Sequence, residues 1–403
     1  MRTDDGLILI AHRIPAAITP LGEWLRDIAH RVVLVTSDEA APGYADAFDR
    51  VVAVASYSTG DAVVEQLHRL CRDHDVSRIV YGTEEDVLRL ARVRDRYGIP
   101  GLSGADALPY RDKLSMKERV ADLLPTPRFH RPAGPADAVA FADRVGWPLV
   151  VKPRFGYGSR GVAVVRSPDA LLRDIASRPD DDVLVEEFIE GSVYHVDGFM
   201  QHGEVLFSCP SAYFNDCLAF ADGRPLGSWQ LDPGDSFAER LSAFAVRVVG
   251  LFPATGFTPF HLEVFRRAGT DEIHFCEVAA RLGGAHVFET LGAAAGINPV
   301  RTWYRRQAGL DEPVGFTPSA DRFGWLLVPP RPGVLEAVDG PPLPGFVERF
   351  HVSADLPRAF GEATVSTDAV MSFVVRGANS RLLRANLSSC LEWATRAMRW
   401  RES

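Results

Sequence analysis

The chain begins with a continuous apolar run, Leu7-Ile8-Leu9-Ile10-Ala11, which reads as a buried strand. Residues 21–31 have helical spacing, 32–36 are a second strand and 51–54 a shorter third. Residues 61–75 and 84–97 read as helices on either side of a strand at 78–82. Unbroken apolar strands separated by helical segments predict a parallel, doubly wound sheet covered on both faces. Gly98-Ile99-Pro100-Gly101 ends that pattern, so the first boundary falls near 105–110.

Residues 110–124 read as a short helix, and Pro125, Pro127, Pro132 and Pro135 bracket the next connection. From 149 to 188 the order is strand, glycine-rich loop, strand, helix, strand. Residues 194–207 form a hairpin turning at His202-Gly203, and 236–251 are helical. Strands at 257–265 and 272–278 meet at a Gly269 turn, and a helix follows at 298–309. Beyond about 316 the chain has short strands punctuated by Pro and Gly, then a last helix at 382–399. The expected division is 1–110, 111–190, 191–315 and 316–403.

Composition narrows the function. The 403 residues are 46% hydrophobic and 24% charged, an ordinary globular balance. No apolar stretch is long enough to span a bilayer, and the short, acidic start Met1–Asp5 is not a signal peptide. Cys71, Cys209, Cys217, Cys276 and Cys390 show neither a disulfide framework nor a paired metal-ligand spacing. The expectation is a cytoplasmic protein with no membrane partner. A net charge of −9 argues against a nucleic-acid partner. The locally basic end, from Arg376 through Arg401 with Glu392 and Glu402, reads as a solvated helix face. Of 44 Lys and Arg residues only Lys113, Lys117 and Lys152 are lysine. A lysine kept against such a bias points to a place that needs a compact ammonium.

Gly156-Tyr157-Gly158-Ser159-Arg160-Gly161 fits G-x-G-x-x-G. A dinucleotide fingerprint needs a helix after the loop; here Gly161-Val162-Ala163-Val164-Val165 is a strand. Protein kinases place their lysine on the strand after the loop, whereas Lys152 precedes it and no catalytic-loop motif follows. Two readings remain: a glycine flap whose N–H groups close over phosphates with Lys152 at its base, or a structural hairpin.

The strand His261-Leu262-Glu263-Val264-Phe265 is followed by Phe275-Cys276-Glu277-Val278. A hairpin is expected to bring Glu263 and Glu277 side by side. Adjacent carboxylates repel unless a cation separates them, and hard oxygen ligands suit Mg²⁺ with substrate phosphates. Arg281 follows, then Leu282-Gly283-Gly284. The arginine suits charge developing in a transition state, and the glycines leave N–H groups open to an anion. Each Glu alone is as readily a surface strand residue; the pair with Arg-x-Gly-Gly is more specific.

Together these segments resemble the ATP-grasp superfamily, and within it the carboxylate–amine ligases that include L-amino acid ligases and peptide ligases of natural-product biosynthesis. Tyr110-Arg111-Asp112-Lys113 resembles the first phosphate-binding lysine segment. Lys152-Pro153 with Gly156, Gly158, Ser159 and Gly161 resembles the second lysine and its flap. Val185-Glu186-Glu187-Phe188-Ile189-Glu190-Gly191 resembles the adenine-binding connector. Glu263 and Glu277 match the metal carboxylates, and Arg281 the arginine beside the transferred phosphoryl group.

Two positions depart from the pattern. Ala279 stands where many members have a metal-binding Asn, and Val193 where most have a ribose-binding Glu. His195 or Asp197 is expected to take over some of the ribose contact. The resemblance implies an α/β ATP-grasp architecture. It has an N-terminal doubly wound domain, a small β-flap domain and a larger α+β catalytic domain with a C-terminal antiparallel lid. It implies ATP and Mg²⁺ as cofactors, with Mn²⁺ as a substitute. The partners it implies are a small carboxylate and an amine; the oligomeric state is left open, with a homodimer as the expectation. A carboxylase, a carboxylate–thiol ligase and a non-catalytic ATP-binding regulator are the alternatives. In the segment 208–229, Tyr213, Phe214, Asn215 and Trp229 suggest either an apolar acceptor pocket or a packed lid.

Overall fold

The computed structural model describes residues 5–178, 182–215 and 217–401. The start Met1–Asp4 and Glu402 of the basic end lie outside the described residues. The N-terminal sheet is parallel, in the order Arg50–Val54, Val32–Ser37, Leu7–Ala11, Val76–Tyr81. Its apolar runs follow from burial on both faces. Leu9 and Ala11 enter one core cluster, with Leu67 and Leu70 of the helix Ala62–Asp73 and Leu90 of the helix Asp86–Tyr97. Ile8 and Ile10 enter another, with Leu21, Tyr44 and Tyr304. The segment 21–31 is not one helix but a short helix Leu21–Trp24 and a 3₁₀ turn Arg26–Arg31. The chain winds to one side of Leu7–Ala11 and then to the other. The carboxyl ends of Leu7–Ala11 and Val76–Tyr81 therefore meet at a switch point, where ligands of such sheets bind.

The second sheet is antiparallel, in the order Phe129–His130, Val183–Glu187, Leu149–Pro153, Ala163–Val165. Helices Pro135–Val145 and Pro168–Ala176 bury Phe141 and Leu171 against it. The first of these helices was read as a connection. Pro135 starts it rather than interrupting it, because a proline at the first helical position loses no intrahelical hydrogen bond.

The largest sheet has eight antiparallel strands: Ile273–Ala279, Phe257–Arg267, Gly191–Gln201, Glu204–Tyr213, Leu226–Gln230, Arg322–Val328, Met371–Gly377 and Val347–Val352. The part after 316 is antiparallel as expected, but three of its strands extend this sheet rather than standing apart. Its other strands, Gly333–Val338, Arg358–Phe360 and Met398–Arg401, make a three-stranded sheet. The last helix, Ser380–Ala397, is capped by Asn379 and buries Leu383 and Leu387 against Leu326 and Phe373. Among the described residues no helix is long and apolar enough to cross a membrane.

Gly198 sits mid-sheet, where an added Cβ would fall 2.2 Å from the Phe207 carbonyl oxygen and 2.7 Å from the Phe260 ring. Neither neighbour has room to retreat in a packed sheet. Gly198→Ala is expected to destabilise the protein by about 2–3 kcal/mol in denaturant unfolding.

Candidate active site

The small and large sheets enclose a cleft of about 410 Å³. Leu149–Pro153 carries Lys152 to it, Val183–Glu187 carries Glu186 and Glu187, and the connector adds Phe188 and Ile189. Val193, Glu263, Phe265, Cys276 and Glu277 line it from the large sheet. The loop Gly156 to Gly161 overhangs it. Gly158 and Gly161 have φ of +63° and +69°, a left-handed conformation that glycine adopts without strain. Ser159 also has a positive φ, 58°, an uncommon conformation for a residue with a Cβ. The Ser366 N–H donates to the Gly158 carbonyl at 3.3 Å, tying the loop to the C-terminal part.

Lys113 is the first residue of the helix Lys113–Val120. Asp112 caps that helix by accepting from the Leu114 N–H at 3.1 Å, and Arg154 holds Asp112 with an Nε–Oδ1 distance of 2.8 Å. Lys113 Nζ thereby reaches the cleft, donating to the Gly156 carbonyl at 2.9 Å and lying 3.5 Å from Glu277 Oε2. Lys152 Nζ lies 2.8 Å from Glu186 Oε1. The third lysine, Lys117, had no assigned role. It is 0% exposed, lies 3.3 Å from the same Glu186 oxygen and donates to the Cys276 carbonyl at 3.2 Å. Burial would raise the Glu186 pKa, but the two ammonium groups hold it below the usual range. Burial lowers the pKa of Lys117, whereas for Lys152 burial is offset by Glu186, Cys276 and Glu277 together, which raise it. The sequence signal for Lys117 was its i, i+4 spacing from Lys113.

The hairpin register pairs Glu263 with Glu277. The register then shifts, so Cys276 is the extra residue of a β-bulge and faces the cleft together with Glu277. Glu263 Oε1 accepts from Tyr213 Oη at 2.6 Å and lies 3.5 Å from His261 Nε2. Burial would raise the Glu263 pKa, but His261 and Tyr213 hold it low. Two carboxylates on neighbouring strands form an all-oxygen donor set that fits Mg²⁺.

A second small cavity adjoins the first, sharing Lys113, Gly156, Tyr157 and Glu277 and adding Glu84, Arg111, His261 and Arg281. Arg281 Nε and Arg111 Nη1 both donate to Glu84, and Arg281 Nη1 donates to the Leu282 carbonyl at 2.6 Å. Burial would raise the Glu84 pKa; the two guanidinium groups reverse this and lower it to about 2. Sequence reading missed Glu84, although it lies at the switch point of the N-terminal sheet. Gly283 and Gly284 form the turn into the helix Val287–Ala295 and do not line the cleft.

His195 does not reach the cleft. It is 2% exposed, its Nδ1 is bonded to Asp197 Oδ2 and its Nε2 lies 2.6 Å from Ser228 Oγ. Val193, two residues earlier on the same strand face, is the residue that lines the cleft. Tyr213, Phe214, Asn215 and Trp229 of the segment 208–229 do not line the cleft either. Phe214 and Trp229 pack edge to face at 6.3 Å, and Asn215 donates to the Pro225 carbonyl at 2.7 Å. Cys217, Leu218, Asp222 and Arg224 of that segment line the cleft instead.

Residues 110–221 match the family model described as an ATP-grasp domain. The ATP-grasp fold is shared with the L-amino acid ligase of Bacillus licheniformis, at a TM-score of 0.74 and 16% identity over 100% of both chains. It is shared also with carboxyaminoimidazole ribonucleotide synthase of Aspergillus clavatus complexed with ATP. That TM-score is 0.72, at 16% identity over 98% of this chain and 100% of the other. By sequence, the chain is 24% identical over 315 residues to the L-arginine-specific L-amino acid ligase of Bacillus subtilis, covering 76% of this chain and 75% of that one.

The two lysines on Glu186 are expected to have separable effects. Lys117→Met leaves Glu186 with one cation and is expected to cost about 1–3 kcal/mol of stability. Lys152→Met is expected to weaken ATP binding at least tenfold, about 1.4 kcal/mol or more. Thermal unfolding and calorimetric ATP titration of both variants check the split.

Proposed function

We propose that the chain is an ATP-dependent carboxylate–amine ligase that forms an amide or peptide bond through an acyl phosphate. ADP and phosphate are released, and the substrates are amino acids or small acids of natural-product biosynthesis. The observation that carries this reading is one cleft holding two lysines, a glycine flap and a cross-strand carboxylate pair, with Arg281 in the adjoining cavity. The named ligases among its relatives support the same class.

In this reading the adenine edge lies along Glu186, Glu187, Phe188 and Ile189. Lys113 and Lys152 hold the α- and β-phosphates, and the N–H groups of Gly156, Gly158, Ser159 and Gly161 cover them. Glu263 and Glu277 would hold Mg²⁺, or Mn²⁺ in its place, which supplies charge neutralisation at the phosphates. A substrate carboxylate oxygen attacks the γ-phosphorus and ADP leaves. The amine nitrogen then attacks the acyl carbon, and phosphate leaves with the bond to oxygen broken. Arg281 stabilises the oxyanion at that carbon. The flap excludes water, which would otherwise hydrolyse the acyl phosphate. Residues 1–110 contribute Glu84, 111–190 the lysines and flap, 191–315 the carboxylates and Arg281, and 316–403 the contact that steadies the flap. We place the enzyme in the cytoplasm, as a homodimer.

Hydroxylamine trapping tests the intermediate. With MgATP and a competent carboxylate, hydroxamate is expected to form in step with ADP. Hydroxamate formed with AMP and pyrophosphate would mean an adenylate and overturn the acyl-phosphate route.

A further inference from the structure

Behind the carboxylate pair runs a line of buried polar groups that the proposed chemistry does not use. Ser228 Oγ meets His195 Nε2 at 2.6 Å, and His195 Nδ1 meets Asp197 Oδ2. Asp197 Oδ1 meets His261 Nδ1 at 2.8 Å, and His261 Nε2 lies 3.5 Å from Glu263 Oε1. Ser228, His195, Asp197 and His261 are all buried. Adjacent strands of the large sheet hold them in register: His195 is paired with Ser211 on one side and Glu263 on the other, and Asp197 with His261. Burying this many polar groups is costly unless every member is satisfied, and here every ring nitrogen and both Asp197 oxygens have a partner.

The line ends asymmetrically on Glu263. Among the described residues, its contacts with Tyr213 Oη, His261 Nε2 and Cys217 Sγ all go to Oε1. At its centre Asp197 also abuts the Arg281 loop: a Cβ on Gly283 would fall 2.9 Å from Asp197 Oδ1.

We propose that Ser228, His195, Asp197, His261 and Tyr213 form a positioning relay that clamps Oε1 of Glu263, so that this carboxylate offers the cation its other oxygen alone. Groups behind a metal ligand fix its orientation in this way, and their loss typically costs 10–100-fold in metal affinity. A Cβ at Gly283 would meet Val287 at 2.5 Å as well as Asp197, so the loop lies against both only because that position has no side chain.

The inference rests on the reading of Glu263 as a metal ligand, so the test includes that residue. Mn²⁺ binding to the full chain with saturating ADP is measured by electron paramagnetic resonance, alongside turnover as a function of metal concentration. Glu263→Gln sets the reference loss. Asp197→Asn is expected to weaken Mn²⁺ binding about tenfold or more. Tyr213→Phe, which removes one hydroxyl and no packing volume, is expected to weaken it several-fold. In both variants excess metal is expected to restore most of kcat, a rescue that a merely structural role would not give. Tyr213→Phe keeps the test open should Asp197→Asn fail to fold. Folded variants that bind Mn²⁺ within twofold of the parent, while Glu263→Gln does not, would overturn the relay alone. An unchanged affinity in Glu263→Gln would overturn the metal-ligand reading beneath it. A transition metal that survives chelation in the parent and is absent from Asp197→Asn would place an ion inside the cluster and also overturn the relay.

Discussion

Replacing Arg281 by Ala is expected to abolish amide product while leaving ATP binding within a few-fold of the parent. Arg281 lines the cavity next to the carboxylate pair and does not line the larger cleft. In the proposed reaction its loss therefore removes charge at the reacting carbon rather than a nucleotide contact. Losing one such donor costs about 10²–10³ in kcat, or ~2.7–4 kcal/mol, and a full guanidinium charge is expected at or beyond the upper end. The guanidinium is also aimed from behind by Glu84, which it shares with Arg111. Glu84→Gln keeps the shape and removes the charge, so it should reproduce part of the kcat loss with a smaller change in ATP binding. Arg281→Ala leaves Glu84 one cation short, and a stability loss of about 1–3 kcal/mol should accompany it. Product mass, ATP titration and thermal unfolding on the same samples separate the three effects.

Glu277→Gln is expected to lower turnover by at least about 10²-fold without lowering stability. In the metal-free protein Glu263 and Glu277 are cross-strand neighbours, and like charges placed opposite each other destabilise a sheet. Lys113 at 3.5 Å offsets part of that repulsion. Removing one charge relieves the rest, so the thermal midpoint should hold or rise by an amount worth up to about 1 kcal/mol. An ordinary strand glutamate would behave oppositely: activity would persist, and stability would fall with the lost Lys113 contact. Thermal scans with and without Mg²⁺ sharpen the distinction, because the Mg²⁺-dependent gain in midpoint should shrink in Glu277→Gln.

The sequence revealed most where local pattern and burial agree. The N-terminal strands were legible because a parallel sheet covered on both faces needs unbroken apolar runs, and Leu7–Ala11 is one. The hairpin carrying Glu263 and Glu277 was legible because Gly269, with φ of +77°, makes the turn that sets its register. The strand Leu226–Gln230 was missed, being short and polar on one face. The helix Val287–Ala295 was missed because its small residues give little hydrophobic contrast. Residues whose partners are remote were invisible. Glu84 meets Arg281 across 197 positions. His195 looked available to a nucleotide because Ser228, the partner of its Nε2, lies 33 positions away.

The account is tested most directly by incubating the protein with MgATP and a matrix of amino acids and small carboxylates. ADP release and product mass are then read in every well. The account predicts wells in which ADP appears only when a carboxylate and an amine are both present, with a new mass equal to their sum minus water. ATP binding without ADP release in any well, or ADP release whose product carries no amine, would contradict it.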